Sequence, residues 1–326
     1  MYFKFYIYLV NIFSTFCFKQ PIPFADSSLS KHKIHKVPVL DNENVAVWWN
    51  KKSKEWNAVH DVCPHRQASL SDGVVNPKTA CIKCRYHGIE FNKHGKCTLI
   101  PSSTFNPSIF SVKNYYIKEK YDLLWIDDEK HSDIVIDILE KPHSKLPWFI
   151  TSVKLPHRLL LENSIDSAHV SNVHSDMIPG VNRYKPFPVL TKARTNWFNE
   201  TGFSVSLTNY LNFSTETVYI SPYYTYINFP KTNIFAITIP INATSSRFIS
   251  NLIIEKSNVI IKRVIALFSP LLRKTSPKIF EQDVFMINSQ LKNSVNKKPY
   301  KNSGVADTPI ILYNKWLDEY TQQTLF

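Results

Sequence analysis

Two short motifs, Cys63-Pro-His65 and Cys84-Arg-Tyr-His87, constrain this chain more than any other feature. Thiolates and imidazoles at such spacing are typical ligands of soft metal centres. Zinc fingers usually pair cysteines within one motif and histidines within the other. Here each motif contains one ligand of each kind, so both cysteines can bind one metal ion and both histidines another. A zinc site is the less favoured alternative.

That division of ligands is the one found in a Rieske 2Fe–2S cluster, in which two histidines replace two cysteines on one iron. The segments DVCPHRQASLSDG and CRYHGIEF resemble the Rieske family. Rieske proteins of the respiratory and photosynthetic cytochrome complexes carry an extra cysteine in each loop, where this chain has Ala68 and Tyr86. The resemblance is therefore to the oxygenase type. It implies a 2Fe–2S cluster held by Cys63, His65, Cys84 and His87.

Composition excludes several other classes of protein. Only six glycines are present, and no GxGxxG or P-loop motif can be written, so Gly-rich nucleotide folds are excluded. The five cysteines are an odd number with local clustering, which favours a reducing compartment over a disulfide framework. We interpret Cys81 and Cys97 as buried packing residues.

The chain is basic, with 39 Lys and Arg against 26 Asp and Glu, a formal net charge of +13. Lysines are scattered and no nucleic-acid recognition motif is present, so no nucleic-acid partner is expected. The basic excess fits docking of an acidic ferredoxin, and it also fits contact with anionic lipid.

The N-terminus has the character of a targeting segment. Residues 5–18 are almost wholly apolar, and residues 26–36 are rich in Ser, Lys and His. The apolar run is short for a membrane span but suits a leader, so residues 1–35 are expected to be a targeting leader. A buried N-terminal strand or helix is the alternative. The expected domains are then 36–130 around the cluster and 131–326 downstream.

A second constellation, Asp166-x2-His169-x4-His174, offers two imidazoles and a carboxylate. Such groups can form the facial triad of a mononuclear iron. Positions five apart on a straight helix diverge by about 140°. The helix must therefore end or bulge near residues 171–172 if both histidines bind one metal ion. An ordinary helix with two surface histidines is the alternative.

Together the two constellations resemble the Rieske non-haem iron oxygenases. The resemblance implies that Asp166 bridges the two metal centres, between His87 of one subunit and His169 of its neighbour. It therefore implies a head-to-tail homotrimer. It also implies a downstream carboxylate ligand for a mononuclear Fe(II) held by His169 and His174. The segment EQDVFMINSQ matches the family pattern. Asp283 is the expected carboxylate ligand, and Glu281 is the alternative.

The fold class expected is α+β. Short β-rich runs around the cluster motifs predict an all-β first domain. Alternating runs over 203–213, 216–229 and 234–241 predict long antiparallel strands. A helix near residue 283 would cover this curved sheet, in a helix-grip or START-like arrangement. Tyrosines of these runs could line an apolar pocket or simply form core.

Within the family, the flanking sequences are most similar to the group of pheophorbide a oxygenase, chlorophyllide a oxygenase and the 55-kDa-type protein of the chloroplast inner translocon. The resemblance implies an oxygenase that uses O2 and electrons from a ferredoxin or reductase. A large apolar substrate of the chlorophyll-type tetrapyrrole class, a plastid location and peripheral membrane contact are expected. The alternatives are a redox-sensing or electron-transfer component of plastid protein import, and an oxygenase for a sterol or an amine.

Overall fold

The computed structural model describes residues 20–101, 106–128, 134–140, 143–177, 190–229, 232–255, 259–294 and 304–320. The described residues divide into two compact units, one that ends at residue 135 and one that begins at residue 136. The division follows residue 135, where the sequence analysis placed it after residue 130. The apolar run over residues 5–18 lies outside the described residues.

The first unit consists of antiparallel strands. Six of them form a sheet in the order β1-β10-β9-β4-β3-β2, and four form a second sheet in the order β5-β6-β7-β8. The strands are β1 (Ile22–Asp26), β2 (His35–Pro38), β3 (Asn44–Asn50), β4 (Glu55–His60), β5 (Val74–Val75), β6 (Ile82–Lys83), β7 (Glu90–Phe91), β8 (Cys97–Leu99), β9 (Asn114–Lys120) and β10 (Leu123–Asp127). The predicted all-β character of this part of the chain is confirmed.

Strand β1 corrects the expected extent of the leader. This strand lies inside residues 1–35, yet it pairs with β10, and Ile22 and Phe24 are buried. Its backbone hydrogen bonds and apolar side chains belong to the folded unit, which therefore begins before residue 36. For this stretch the alternative of a buried N-terminal strand is correct.

The core of the first unit lies directly beneath the two cluster motifs. Trp48 and Phe91 are fully buried, and Cys63 and Cys84 belong to the same apolar cluster. The indole of Trp48 donates a hydrogen bond of 3.0 Å to the carbonyl of Ala80, just before β6. The start of both motifs is thus anchored in close-packed core, which restricts their movement.

The second unit contains one antiparallel sheet with helices packed on it. The sheet order is β11-β18-β17-β16-β15-β14-β13, and β12 also pairs with β18. Its strands are β11 (His143–Lys145), β12 (Phe149–Val153), β13 (Leu190–Asn199), β14 (Gly202–Asn209), β15 (Ser214–Ile220), β16 (Tyr224–Phe229), β17 (Thr232–Asn242) and β18 (Ser245–Glu255). The helices are α1 (Asp137–Glu140), α2 (His157–Ile165), α3 (Val170–Val173), α4 (Val259–Ser294) and α5 (Thr308–Tyr320).

Helix α2 is held between the sheet and the two long helices. Leu161 packs with Tyr219 of the sheet and with Tyr313 of α5. The preceding residue, Leu160, packs instead with Phe280 and Ile287 of α4. Neighbouring side chains of α2 therefore contact different partners, which fixes the position where this helix ends next to α4.

One detail differs from the sequence prediction. The run over residues 216–229 is two strands, β15 and β16, because Pro222 lies in the turn between them and proline cannot continue a central strand. Tyr219 and Tyr223 are fully buried core residues. Among the described helices, none combines the length and apolar character that a membrane-spanning segment needs.

Candidate metal centres

The first cluster motif is a tight loop closed by backbone hydrogen bonds. The amide of Cys63 donates to the carbonyl of Ala68 at 2.9 Å, and the amide of Gln67 donates back to the carbonyl of Cys63 at 2.8 Å. Gln67 has a φ of 58°, in the left-handed region. These bonds make the chain reverse direction, and His65 lies at the exposed tip.

The second motif repeats the same geometry. The amide of Cys84 donates to the carbonyl of Ile89, and the amide of Gly88 donates to the carbonyl of Cys84, both at 2.9 Å. Gly88 has a φ of 73°, at the position equivalent to the left-handed residue of the first loop. Glycine adopts this conformation without steric cost. Two sequence motifs of different length thus form matching loops.

The two loops place their cysteines together in the core and their histidines together at the surface. The thiols of Cys63 and Cys84 contact each other, and each cysteine is only 2% exposed. The imidazole rings of His65 and His87 are exposed, with their centroids 4.6 Å apart. A buried sulfur pair beside an exposed imidazole pair is the arrangement that two differently ligated irons require.

The electrostatics of the loops also fit a 2Fe–2S cluster. Burial raises the pKa of Cys63 to about 11, and contact with Cys84 adds to this effect. Two adjacent buried thiolates are unfavourable unless a cation compensates their charge, and iron supplies that charge. The pKa of His87 lies below its usual value because of desolvation and the positive charges of His65 and Arg66. Its neutral, metal-binding form is therefore favoured.

The second centre begins where α2 ends. Asp166 follows the helix with extended backbone, φ −85° and ψ 100°. His169 and His174 then flank the single turn of α3 at its two ends. The expected break near residues 171–172 is not observed: α2 ends before His169, and the two histidines are instead the flanking residues of the separate four-residue helix α3. The rings of the two histidines lie with centroids 5.2 Å apart.

Helix α4 adds a carboxylate to the two imidazoles. Oδ1 of Asp283 lies 3.3 Å from Nε2 of His169 and 3.1 Å from Nε2 of His174. One ligand atom from each residue falls within 4.8 Å of the others. Asp283 is buried, whereas Glu281 is exposed on the same helix. The structure thus brings Asp283, and not Glu281, to the histidines.

Three further side chains contact this group. Asp166 Oδ2 lies 3.7 Å from His169 Nδ1, and Asn163 Nδ2 lies 3.4 Å from Asp283 Oδ1. Gln282 Oε1 lies 3.0 Å from His174 Nδ1. Asn163 and Gln282 were not predicted. Gln282 is adjacent to Asp283 and Asn163 lies three residues before Asp166, but position in the sequence does not reveal which way an amide side chain points.

The protonation of this group fits a cation site. Burial alone would lower the pKa of His169, but its contacts with Asp166 and Asp283 outweigh burial and raise the pKa to about 9. Burial likewise opposes ionisation of Asp283, yet contacts with His169 and His174 hold its pKa below the usual value. The carboxylate is therefore stabilised by positive charge, which a proton on His169 supplies and which a bound metal ion would supply in place of that proton. Two imidazoles and one carboxylate are the ligand set of non-haem Fe(II) oxygenases.

Comparison with known proteins decides the family. Residues 22–115 match the Rieske [2Fe-2S] domain. The chain is 31% identical over 149 residues to protochlorophyllide-dependent translocon component 52, chloroplastic, of Arabidopsis thaliana, covering 40% of this chain and 26% of that protein. It is 27% identical over 175 residues to pheophorbide a oxygenase, chloroplastic, of Oryza sativa subsp. japonica, covering 48% and 33%. It is 26% identical over 331 residues to protein TIC 55, chloroplastic, of Pisum sativum, covering 89% and 56%. Residues 22–115 thus belong to the Rieske [2Fe-2S] domain family, and the chain is similar to oxygenases that contain this domain.

Solved structures share the fold of this chain. Dicamba monooxygenase bound to dicamba superposes with a TM-score of 0.69 at 14% identity, over 94% of this chain and 98% of that one. The predicted α+β class is confirmed. The chain spans between 26% and 56% of the length of the three relatives. Rieske oxygenases use a 2Fe–2S cluster and a mononuclear iron, and the residues of both centres fit these cofactors.

Proposed function

We propose that this chain is a Rieske oxygenase that oxidises a large apolar substrate with O2, using electrons from a ferredoxin or a reductase. The observation that carries the proposal is the convergence of His169, His174 and Asp283 on one point. When bound there, a ferrous ion would supply the redox chemistry that activates O2. Three protein ligands leave coordination positions for O2 and substrate.

The residues of the chain have distinct roles in this proposal. Cys63 and Cys84 would hold the iron that lies in the core, and His65 and His87 would hold the iron at the loop tips. Because these imidazoles are exposed, electrons can enter and leave through their edges. Arg66 and Arg85 flank them and are exposed, so an acidic electron donor would be attracted to these tips.

Asp166 is proposed to join the two kinds of centre between subunits. Its Oδ1 accepts a hydrogen bond of 2.8 Å from the amide of Ala168, which fixes the carboxylate, and its Oδ2 faces His169. The side chain is 28% exposed. His87 of a second copy could therefore reach it. This supports the head-to-tail homotrimer that the family resemblance implies.

We propose a chlorophyll-type tetrapyrrole as the substrate, because pheophorbide a oxygenase is among the relatives. The relatives whose names place them in the chloroplast also support a plastid location. The net charge of +13 supports peripheral contact with an anionic membrane surface. Exclusive localisation of a fluorescent fusion of the full chain outside plastids would contradict the proposed location.

The test is an assay with ferredoxin, its reductase, pheophorbide a and ¹⁸O2. The expected result is an ¹⁸O-labelled product, detected by mass spectrometry, that is absent with the Asp283→Asn variant. If the protein holds both metals and forms no labelled product from any tetrapyrrole supplied, this substrate class is wrong. A labelled product from a sterol or an amine would point to those alternatives instead.

A second candidate function is a redox component of plastid protein import. The names of TIC 55 and of the translocon component among the relatives favour it. Such a component would need the cluster but no metal at His169, His174 and Asp283. Cycling of the cluster with an iron-free second centre in the active protein would support this role over oxygenation.

A further inference from the structure

We propose that Gln282 is a positioning residue that fixes the tautomer and orientation of His174, so that its Nε2 is presented to a metal ion. The proposal rests on the mononuclear centre of the proposed function. The imidazole of His174 contacts two consecutive residues of α4. Its Nε2 lies 3.1 Å from Asp283 Oδ1, and its Nδ1 lies 3.0 Å from Gln282 Oε1.

The chemistry of these contacts allows one tautomer. A neutral imidazole carries a single proton, and the amide oxygen of Gln282 can only accept a hydrogen bond. When a metal ion occupies Nε2, the single proton of the neutral ring must therefore reside on Nδ1, where the amide oxygen accepts it. The reversed amide would donate to Nδ1 and place the proton on Nε2, which would block metal binding.

Burial gives this contact its importance. His174 is only 4% exposed, so bulk water has little access to replace the amide oxygen. An imidazole nitrogen left without an acceptor in such a place loses its hydrogen bond to solvent without compensation. Outer hydrogen-bond partners of metal-bound histidines are known to fix ring orientation and ligand strength.

The Nδ1 atoms of the two histidines face different chemical groups. Nδ1 of His169 faces the carboxylate of Asp166 at 3.7 Å, whereas Nδ1 of His174 faces a neutral amide. A second carboxylate at the position of Gln282 would add negative charge beside Asp283, which is already buried. Gln282 thus supplies a directional acceptor without a further charge, and its role is orientation of the ring.

The test uses the full chain with its 2Fe–2S cluster intact and the mononuclear metal removed. Co²⁺ affinity is measured by competition with a chelator for the wild type, Gln282→Met, Gln282→Glu and Gln290→Met. Gln290 is an exposed glutamine of the same helix and is the matched control. We expect Gln282→Met to weaken Co²⁺ binding by about 10- to 100-fold and Gln290→Met to have no effect. Gln282→Glu should retain binding, because a carboxylate oxygen accepts the same hydrogen bond.

A spectroscopic signature separates orientation from general loss of stability. In the Co²⁺ form, His169 and His174 should each give a paramagnetically shifted proton NMR signal from Nδ1–H. In Gln282→Met, the His174 signal should exchange with solvent faster or disappear, and the His169 signal should stay. Equal Co²⁺ affinity and equal exchange in Gln282→Met and Gln290→Met would overturn this role alone. Failure of the wild type to bind Co²⁺ would overturn the mononuclear centre as well.

Discussion

Nε2 of His174 lies 3.1 Å from Oδ1 of Asp283, although the two residues belong to segments far apart in the sequence. The contact exists because α2 packs on both the sheet and α4, and because the chain turns out of α2 at Asp166. The single turn of α3 and the long helix α4 thus come together at the site. The site is therefore a product of tertiary packing, and it can be tested one residue at a time.

The ligand assignment of the cluster predicts a specific loss in His87→Ala. Removal of one of the two imidazoles should abolish the Rieske-type absorption and EPR spectrum of the reduced protein, because the iron bound by histidine loses a ligand. His94→Ala is the control, since His94 is exposed in a turn of the same unit. An unchanged spectrum in His87→Ala would refute the assignment.

The carboxylate assignment predicts different effects at two neighbouring acids. Asp283→Asn should weaken binding of the mononuclear metal by at least about 100-fold, the upper end of what loss of an outer-shell partner costs. The cluster should be unaffected. Glu281→Gln should bind the metal normally, because Glu281 is exposed. Measurement of iron and sulfide per chain distinguishes these outcomes, and equal loss in both variants would contradict the assignment.

The bridging role of Asp166 predicts a separation of metal content from turnover. Asp166→Asn should keep both metals, because Asp166 is not expected to bind either of them. Turnover should largely stop, since the neutral amide cannot accept hydrogen bonds from two imidazoles as a carboxylate can. Steady-state activity of a fully metal-loaded variant is the measurement. Wild-type activity in that variant would show that Asp166 is not needed to connect the two metal centres.

Burial of His157 predicts acid sensitivity of the second unit. Burial lowers the pKa of His157 to about 4, and its Nε2 lies 2.8 Å from the carbonyl oxygen of Thr238. The unfolded chain has a histidine pKa near 6.5 and binds more protons between these values. Stability from this group is therefore complete above about pH 6.5 and is lost as the pH falls toward about 4, by up to about 3 kcal/mol.

His157→Gln tests that dependence. A glutamine can still donate to the Thr238 carbonyl but does not titrate, so unfolding free energy should fall less between pH 6.5 and pH 4 than in the wild type. Denaturation at several pH values measures the difference in slope. Parallel pH profiles for the two proteins would show that His157 does not titrate as its burial implies.

The sequence predicted both metal centres because their ligands lie in short motifs. Cys63 and His65, like Cys84 and His87, are close enough in sequence that a single loop fixes each pair. The mixed pairing of thiol and imidazole distinguished this site from zinc fingers. The structure adds that the two loops share one hydrogen-bond pattern, which the different Cys-to-His spacings of the two motifs conceal in the sequence.

Features set by long-range packing were predicted less well. Strand β1 pairs with β10, a partner about a hundred residues away in sequence, so local character alone favoured a leader. The end of α2 at Asp166 depends on how this helix packs, whereas helix periodicity predicted only a break between His169 and His174. The direction of the Gln282 side chain depends on the position of His174, which no local pattern contains.

The central claim is that one chain holds a 2Fe–2S cluster and a separate mononuclear iron. The most direct test is to purify the protein anaerobically and measure iron, acid-labile sulfide and zinc per chain, with EPR after reduction. The account predicts about three irons and about two sulfides, with a Rieske-type signal. Zinc without sulfide would contradict it at both centres.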